Sequence, residues 1–160
     1  MIKSKIVSLT KPHELTFKDK IIDDKHLESE SILCETLVSI ISPGTEVAAY
    51  TGAPPLRPGN PYPRLLGYCN VARVIKVGAN VSSISVGDRV LTGSCHCSHF
   101  VILENDVFSV VPDALESRHA ACAYLYHLGY DAVIKSDLKY GNSVVVFGLG
   151  VLGLGAVATS

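Results

Sequence analysis

A chain of 160 residues, 48% hydrophobic and 18% charged, has the composition of an ordinary globular protein and enough length to bury a core. Fourteen basic against fifteen acidic residues leave a net charge of -1, which excludes a broad electrostatic footprint for nucleic acid or an anionic membrane. Five cysteines, an odd number without framework spacing, fit the reduced thiols of a cytoplasmic protein better than a disulfide scaffold. The start, Met1-Ile2-Lys3-Ser4-Lys5, lacks the apolar region of a signal peptide, and the apolar run at 144–159 is too short and glycine-rich to span a membrane.

Short strands are predicted at 6–9 and 14–17, separated by Lys11-Pro12, and a stronger one at 31–39, rich in β-branched residues and ending before Pro43-Gly44. Residues 46–50 have room for one helical turn before Gly52. Pro54, Pro55, Pro58, Pro61 and Pro63 then impose an irregular surface loop. Strands return at 65–66, 71–77, 88–91, 99–102 and 107–110. After Pro112 the alternation disappears, and Ala120, Ala121, Tyr124, Leu125 and Leu128 recur at helical spacing, with Gly129 as an expected divider between two helices. A turn at Lys139-Tyr140-Gly141-Asn142 leads into an expected buried strand, Ser143-Val144-Val145-Val146-Phe147.

That strand runs directly into Gly148-Leu149-Gly150-Val151-Leu152-Gly153, the spacing of a dinucleotide-binding turn. The first glycine permits the tight turn, the second lets a pyrophosphate approach the backbone, and the third lets the helix pack closely. The helix start, with Val151 and Leu152 in its first turn, offers amide hydrogens and a positive dipole end to phosphate. The acidic residue expected about 20 positions later lies beyond Ser160.

With Ser42-Pro43-Gly44-Thr45-Glu46 after a strand, the Val77-Gly78 and Val86-Gly87-Asp88-Arg89-Val90 stretch, and this glycine turn, the chain resembles the medium-chain dehydrogenase/reductase superfamily over essentially its whole length. The resemblance implies a mainly β GroES-like barrel with a helical connector over 1–135. The first β-α unit of a Rossmann α/β domain would follow over 136–160. It also implies longer typical members, whose C-terminal portion returns to complete the catalytic domain. Zinc-dependent members carry Cys at the place of Pro43 and Gly-His-Glu at the place of Gly67-Tyr68-Cys69. Their third ligand, normally Cys, falls near Tyr124. The four-cysteine loop of the structural zinc is missing too, so the resemblance implies a zinc-independent branch.

Two residues are candidates for proton handling. Thr45 falls where the family often has a relaying hydroxyl, against a plain role as a turn hydroxyl. Tyr68, in the place of a histidine ligand, could donate to a substrate oxygen or simply wall a pocket. Glu46 is expected to stabilise its loop or orient a neighbour. Cys95-His96-Cys97-Ser98-His99 invites a metal reading, but the two cysteines should share one face with His96 on the other, so buried thiols are the expectation.

The sequence thus predicts part of a zinc-independent oxidoreductase using NAD or NADP. Its chemistry would be hydride transfer between the nicotinamide and a small carbonyl, alcohol or activated alkene. Its partners would be that substrate, with neither nucleic acid nor membrane, and homo-oligomerisation or a complementing C-terminal portion is compatible. The alternative is a non-catalytic GroES-like fragment, or one half of a split complex, acting through protein–protein interaction.

Overall fold

In the computed structural model, which describes residues 1–54, 59, 61–139 and 141–160, the chain forms two compact units, Met1–Ala121 and Cys122–Ser160. Part of the proline-rich segment and Tyr140 lie outside the described residues.

The first unit is mostly strand. β1 (Ile2–Lys11) and β2 (Glu14–Ile22) form an antiparallel hairpin, and β4 (Arg64–Leu65) joins the other edge of β1. Both hairpin strands outrun their apolar cores, because polar cross-strand pairs such as Lys3–Asp19 (2.8 Å) support the ends. A second antiparallel sheet has the order β7 (His99–Leu103), β3 (Ser31–Ser39), β5 (Asn70–Val77), β6 (Arg89–Thr92), β8 (Val107–Val110). Two register shifts along the β3–β5 ladder curl it, as bulges do, and an isolated bridge from Ile6 to Cys97 links the sheets. The expectation of a mainly β first domain is met.

The largest core cluster joins Ile32 and Cys34 of β3, Ala72 and Val74 of β5, Val90, Cys97 and Phe100. A smaller one joins Leu9, Ala49 and Leu66, fastening α1 (Pro43–Thr51) to β1. That helix is longer than the single predicted turn. Pro43 presets its first turn, and Gly52 ends it at φ 75°. The Gly87-Asp88-Arg89 stretch is a structural staple. Gly87 sits at φ 100°, and the Arg89 guanidinium donates to the carbonyls of Leu115 (2.8 Å) and Pro112 (2.7 Å). α2 (Ser117–Ala121) closes this unit against β3 and β5.

In the second unit α3 (Ala123–Lys135) packs on α4 (Val151–Thr159). Two expectations are corrected here. Gly129 does not divide two helices; α3 runs through it, and the interruption falls at Cys122. Gly129 is instead the contact point with α4, where a Cβ would lie 2.5 Å from the Leu152 carbonyl oxygen. Residues 143–147 are not a strand, for they take part in no ladder among the described residues. An apolar strand is held by neighbours on its edges and faces; here Val145 is 75% and Phe147 94% exposed. Of the first β-α unit expected over 136–160, the described residues show a turn and a helix without the strand. No described helix is long and apolar enough to cross a membrane.

Candidate functional site

Side chains from β3, α1 and the turn after β6 meet in the first unit. Glu46 lies in the first turn of α1, 6% exposed, and its Oε1 accepts the Ser42 backbone N–H at 2.8 Å. Its Oε2 accepts from His96 Nε2, also at 2.8 Å. The other ring nitrogen, Nδ1, contacts the Ser39 hydroxyl at the end of β3. A carboxylate only accepts, so the imidazole proton belongs on Nε2, and Nδ1 is left to accept the Ser39 O–H. The proton-transfer order is thus Ser39 to His96 to Glu46.

The backbone fixes this arrangement. His96 donates its N–H to the Leu66 carbonyl (2.7 Å) and accepts at its own carbonyl from Val7 N–H (2.9 Å). Gly67 lies against the ring at φ 94°, and a Cβ there would sit 2.6 Å from His96 N and 2.7 Å from Nδ1. Only glycine fits, on both counts. Asn70, fully buried opposite Ser39, donates to the carbonyl of Cys95 (3.3 Å) and so ties down the same turn.

The network ends on an apolar cavity of about 560 Å³. Apolar side chains such as Val7, Phe17, Ile41 and Leu66 supply most of its wall, with Lys5, Ser39, Glu46, His96 and Ser98 as its polar members. Ser39 therefore combines a hydroxyl bonded to a base with a place in the wall of an apolar chamber. Chemically this can hold an oxygen-bearing apolar molecule and move a proton at that oxygen.

Of the residues singled out in the sequence, Thr45 is exposed on α1 and does not line the cavity. Tyr68 is half-buried just after Gly67 and is not part of the cavity wall either. Glu46, expected to orient a neighbour, does so for His96. Ser39 was not singled out, and His96 was weighed only as a metal ligand. The signal available was a histidine in a turn between two strands, with an acidic residue in the first turn of a helix.

The donor chemistry does not fit the family's catalytic zinc. Pro43 has no donor, it is exposed at the helix start, and both His96 ring nitrogens are engaged by protein. Among the described residues no three His, Cys, Asp or Glu side chains converge on one point. Cys95 and Cys97 share one side, against the main core, while His96 faces α1. The Cys97 thiol beside it holds Cys95 down at about 7, whereas that contact and burial push Cys97 up.

The glycine turn at 148–153 has open space at its middle and close packing at its end. Gly148 takes φ 86°, Gly150 caps α4, and a Cβ at Gly150 would meet nothing within 4 Å. Gly153 is needed for a close approach, since its Cβ would lie 1.9 Å from the Gly148 carbonyl oxygen. Val151 and Leu152 form the first turn of α4, beside the free amide ends.

No protein-family model matches the chain. An uncharacterized zinc-type alcohol dehydrogenase-like protein of Haemophilus influenzae is 26% identical across 94% of this chain and 51% of its own length. An oxidoreductase/dehydrogenase of unknown specificity from Escherichia coli superposes with a TM-score of 0.81 at 18% identity, covering 99% of this chain and 54% of that one. An Escherichia coli alcohol dehydrogenase solved with NADH gives a TM-score of 0.78 at 18% identity, covering 97% and 52%. The chain spans about half the length of these proteins.

Proposed function

We propose, from its membership of the medium-chain dehydrogenase/reductase superfamily, that this chain supplies the substrate-side domain and the opening of the dinucleotide site of an NAD(P)-dependent oxidoreductase. The observation that carries the reading is the Ser39–His96–Glu46 chain ending on an apolar cavity. When bound, the nicotinamide supplies or accepts the hydride. The chain's own residues do the rest. The apolar wall holds the substrate and excludes water. In oxidation Ser39 Oγ takes the substrate proton as its own passes to His96 Nδ1, with Glu46 holding Nε2–H. In reduction the imidazolium so formed returns a proton to Ser39 as Ser39 gives its own to the substrate oxygen.

This arrangement supplies proton transfer without a Lewis acid, which suits a zinc-independent member. The substrates that fit are small apolar ketones, aldehydes, alcohols and activated alkenes. Thr45 and Tyr68 are a second proton route, serving a substrate held outside the cavity. Gly148, Gly150 and Gly153, with the amides of Val151 and Leu152, would hold the pyrophosphate of NAD or NADP, consistent with the NADH bound by the Escherichia coli alcohol dehydrogenase. Five cysteines, none of them in a disulfide among the described residues, suit the cytoplasm.

The test is turnover by the protein carrying this chain, with NADH or NADPH and a panel of such substrates, for wild type, Ser39→Ala, Thr45→Val and Tyr68→Phe. Loss of about 100-fold in kcat for Ser39→Ala alone supports the reading. Equal loss in Tyr68→Phe and none in Ser39→Ala moves the proton route to Tyr68. A second reading, a non-catalytic interaction module, is favoured by the bare apolar residues Val145 and Phe147, and saturable nicotinamide binding argues against it.

A further inference from the structure

The Cys95 and Cys97 thiols are used by neither the proton route nor the phosphate turn. Both pack on the core cluster that includes Ile32, Val74 and Phe100, so the two side chains share one side of the turn, and the Cys97 thiol beside it holds Cys95 down. They flank His96, whose ring and backbone together make four hydrogen bonds. Cys95 is half-buried, Cys97 is 9% exposed and lines the apolar cavity, and Cys34 and Cys69 are fully buried.

We propose that Cys95 and Cys97 are a peroxide-reactive dithiol that closes to a disulfide across His96. Cys95 attacks as thiolate, the form its partner's hydrogen bond favours at neutral pH. An S–O bond forms as the O–O bond of hydrogen peroxide breaks, and the departing hydroxide leaves as water. With Cys95 now a neutral sulfenic acid, the hydrogen bond and negative charge that hold the Cys97 proton are gone. Cys97 loses its proton to solvent and attacks the Cys95 sulfur; the S–S bond forms, the S–O bond breaks, and a second water leaves. Two thiols lose two electrons, and one peroxide becomes two waters. Closing a ring over His96 shifts its backbone, which loosens Ser39 and Glu46 from the imidazole.

The experiment needs neither nicotinamide nor substrate, so it stands or falls apart from the hydride-transfer reading. The protein is treated with equimolar hydrogen peroxide and digested without reduction, with Cys122, the one cysteine of its own unit, as internal control. Wild type should give a peptide in which Cys95 and Cys97 are linked, lacking two hydrogens and inert to maleimide. Cys97→Ser should instead trap dimedone at Cys95, and Cys95→Ser should leave Cys97 reduced. The proposal is overturned if dimedone marks Cys95 in wild type, if Cys122 oxidises first, or if neither thiol reacts before unfolding. Should a variant fail to fold, the wild-type peptide decides alone.

Discussion

Replacing Glu46 with alanine strands two donors in a place water reaches poorly. Ser42, 5% exposed, loses the acceptor of its N–H, and His96 loses the acceptor of Nε2–H, each from a bond of 2.8 Å. Hydrogen bonds to a charged group contribute about 1.5–3 kcal/mol apiece. Removing the carboxylate also forfeits its attraction to the start of α1, about 0.3–1 kcal/mol, while relieving its own desolvation. The net expectation is a loss of about 3 kcal/mol, a large share of the roughly 5–15 kcal/mol that stabilises a typical domain. Urea unfolding followed through the β-sheet signal measures it. Glu46→Gln is the informative companion. Its oxygen still accepts from Ser42, but its amide donates to Nε2, so Nδ1 must carry the proton and donate to Ser39. Stability should fall by only about 1 kcal/mol, whereas proton relay from Ser39 is reversed and turnover collapses. A Glu46→Ala protein within 0.5 kcal/mol of wild type (about the scatter of ordinary surface changes) would refute the reasoning.

Gly67→Ala combines a positive φ with a Cβ 2.6 Å from His96 N and should cost about 3–5 kcal/mol in thermal or urea melts. Gly129→Ala gains helix propensity but drives a Cβ into the Leu152 carbonyl, so limited proteolysis should accelerate within 122–160 while the sheet signal is unchanged. Glu104 is held below the usual carboxylate range by the Ser83 hydroxyl and by backbone N–H groups of Ser83 and Ser82. Its contribution is therefore present above the ordinary glutamate value and lost as pH falls through the depressed folded value, and Glu104→Gln should flatten the acid limb of the stability curve. Iodoacetamide labelling should rise through about pH 7 at Cys95, while Cys34, pushed up to about 12 by burial, stays unlabelled until unfolding.

The strands of the second sheet were readable because their β-branched runs are bounded by turn residues, and β3 spans the expected 31–39. The Val77-Gly78 signature has a local cause too: a Cβ at Gly78 would lie 2.2 Å from the Glu28 carbonyl oxygen. Gly129 misled because a glycine in a helix reads as a breaker, and only the presence of α4 reveals it as a packing contact. The valine-rich segment at 143–147 misled in the opposite way. Its pattern demands strand neighbours, and a ladder is a property of two segments. The Ser39–His96–Glu46 site was illegible for the same reason. Its members are separated by 57 positions between Ser39 and His96 and by 50 between Glu46 and His96, and they meet only through the β3–β5 register and the turn after β6.

The most direct test of the central claim follows an isotope. The protein carrying this chain is given nicotinamide cofactor deuterated at the transferable position, an apolar ketone or enoyl substrate, and a zinc chelator. The account predicts deuterium bound to carbon in the product, at a rate the chelator leaves unchanged and Ser39→Ala lowers. Absence of deuterium from the product, or activity abolished by the chelator and restored by zinc, would contradict it.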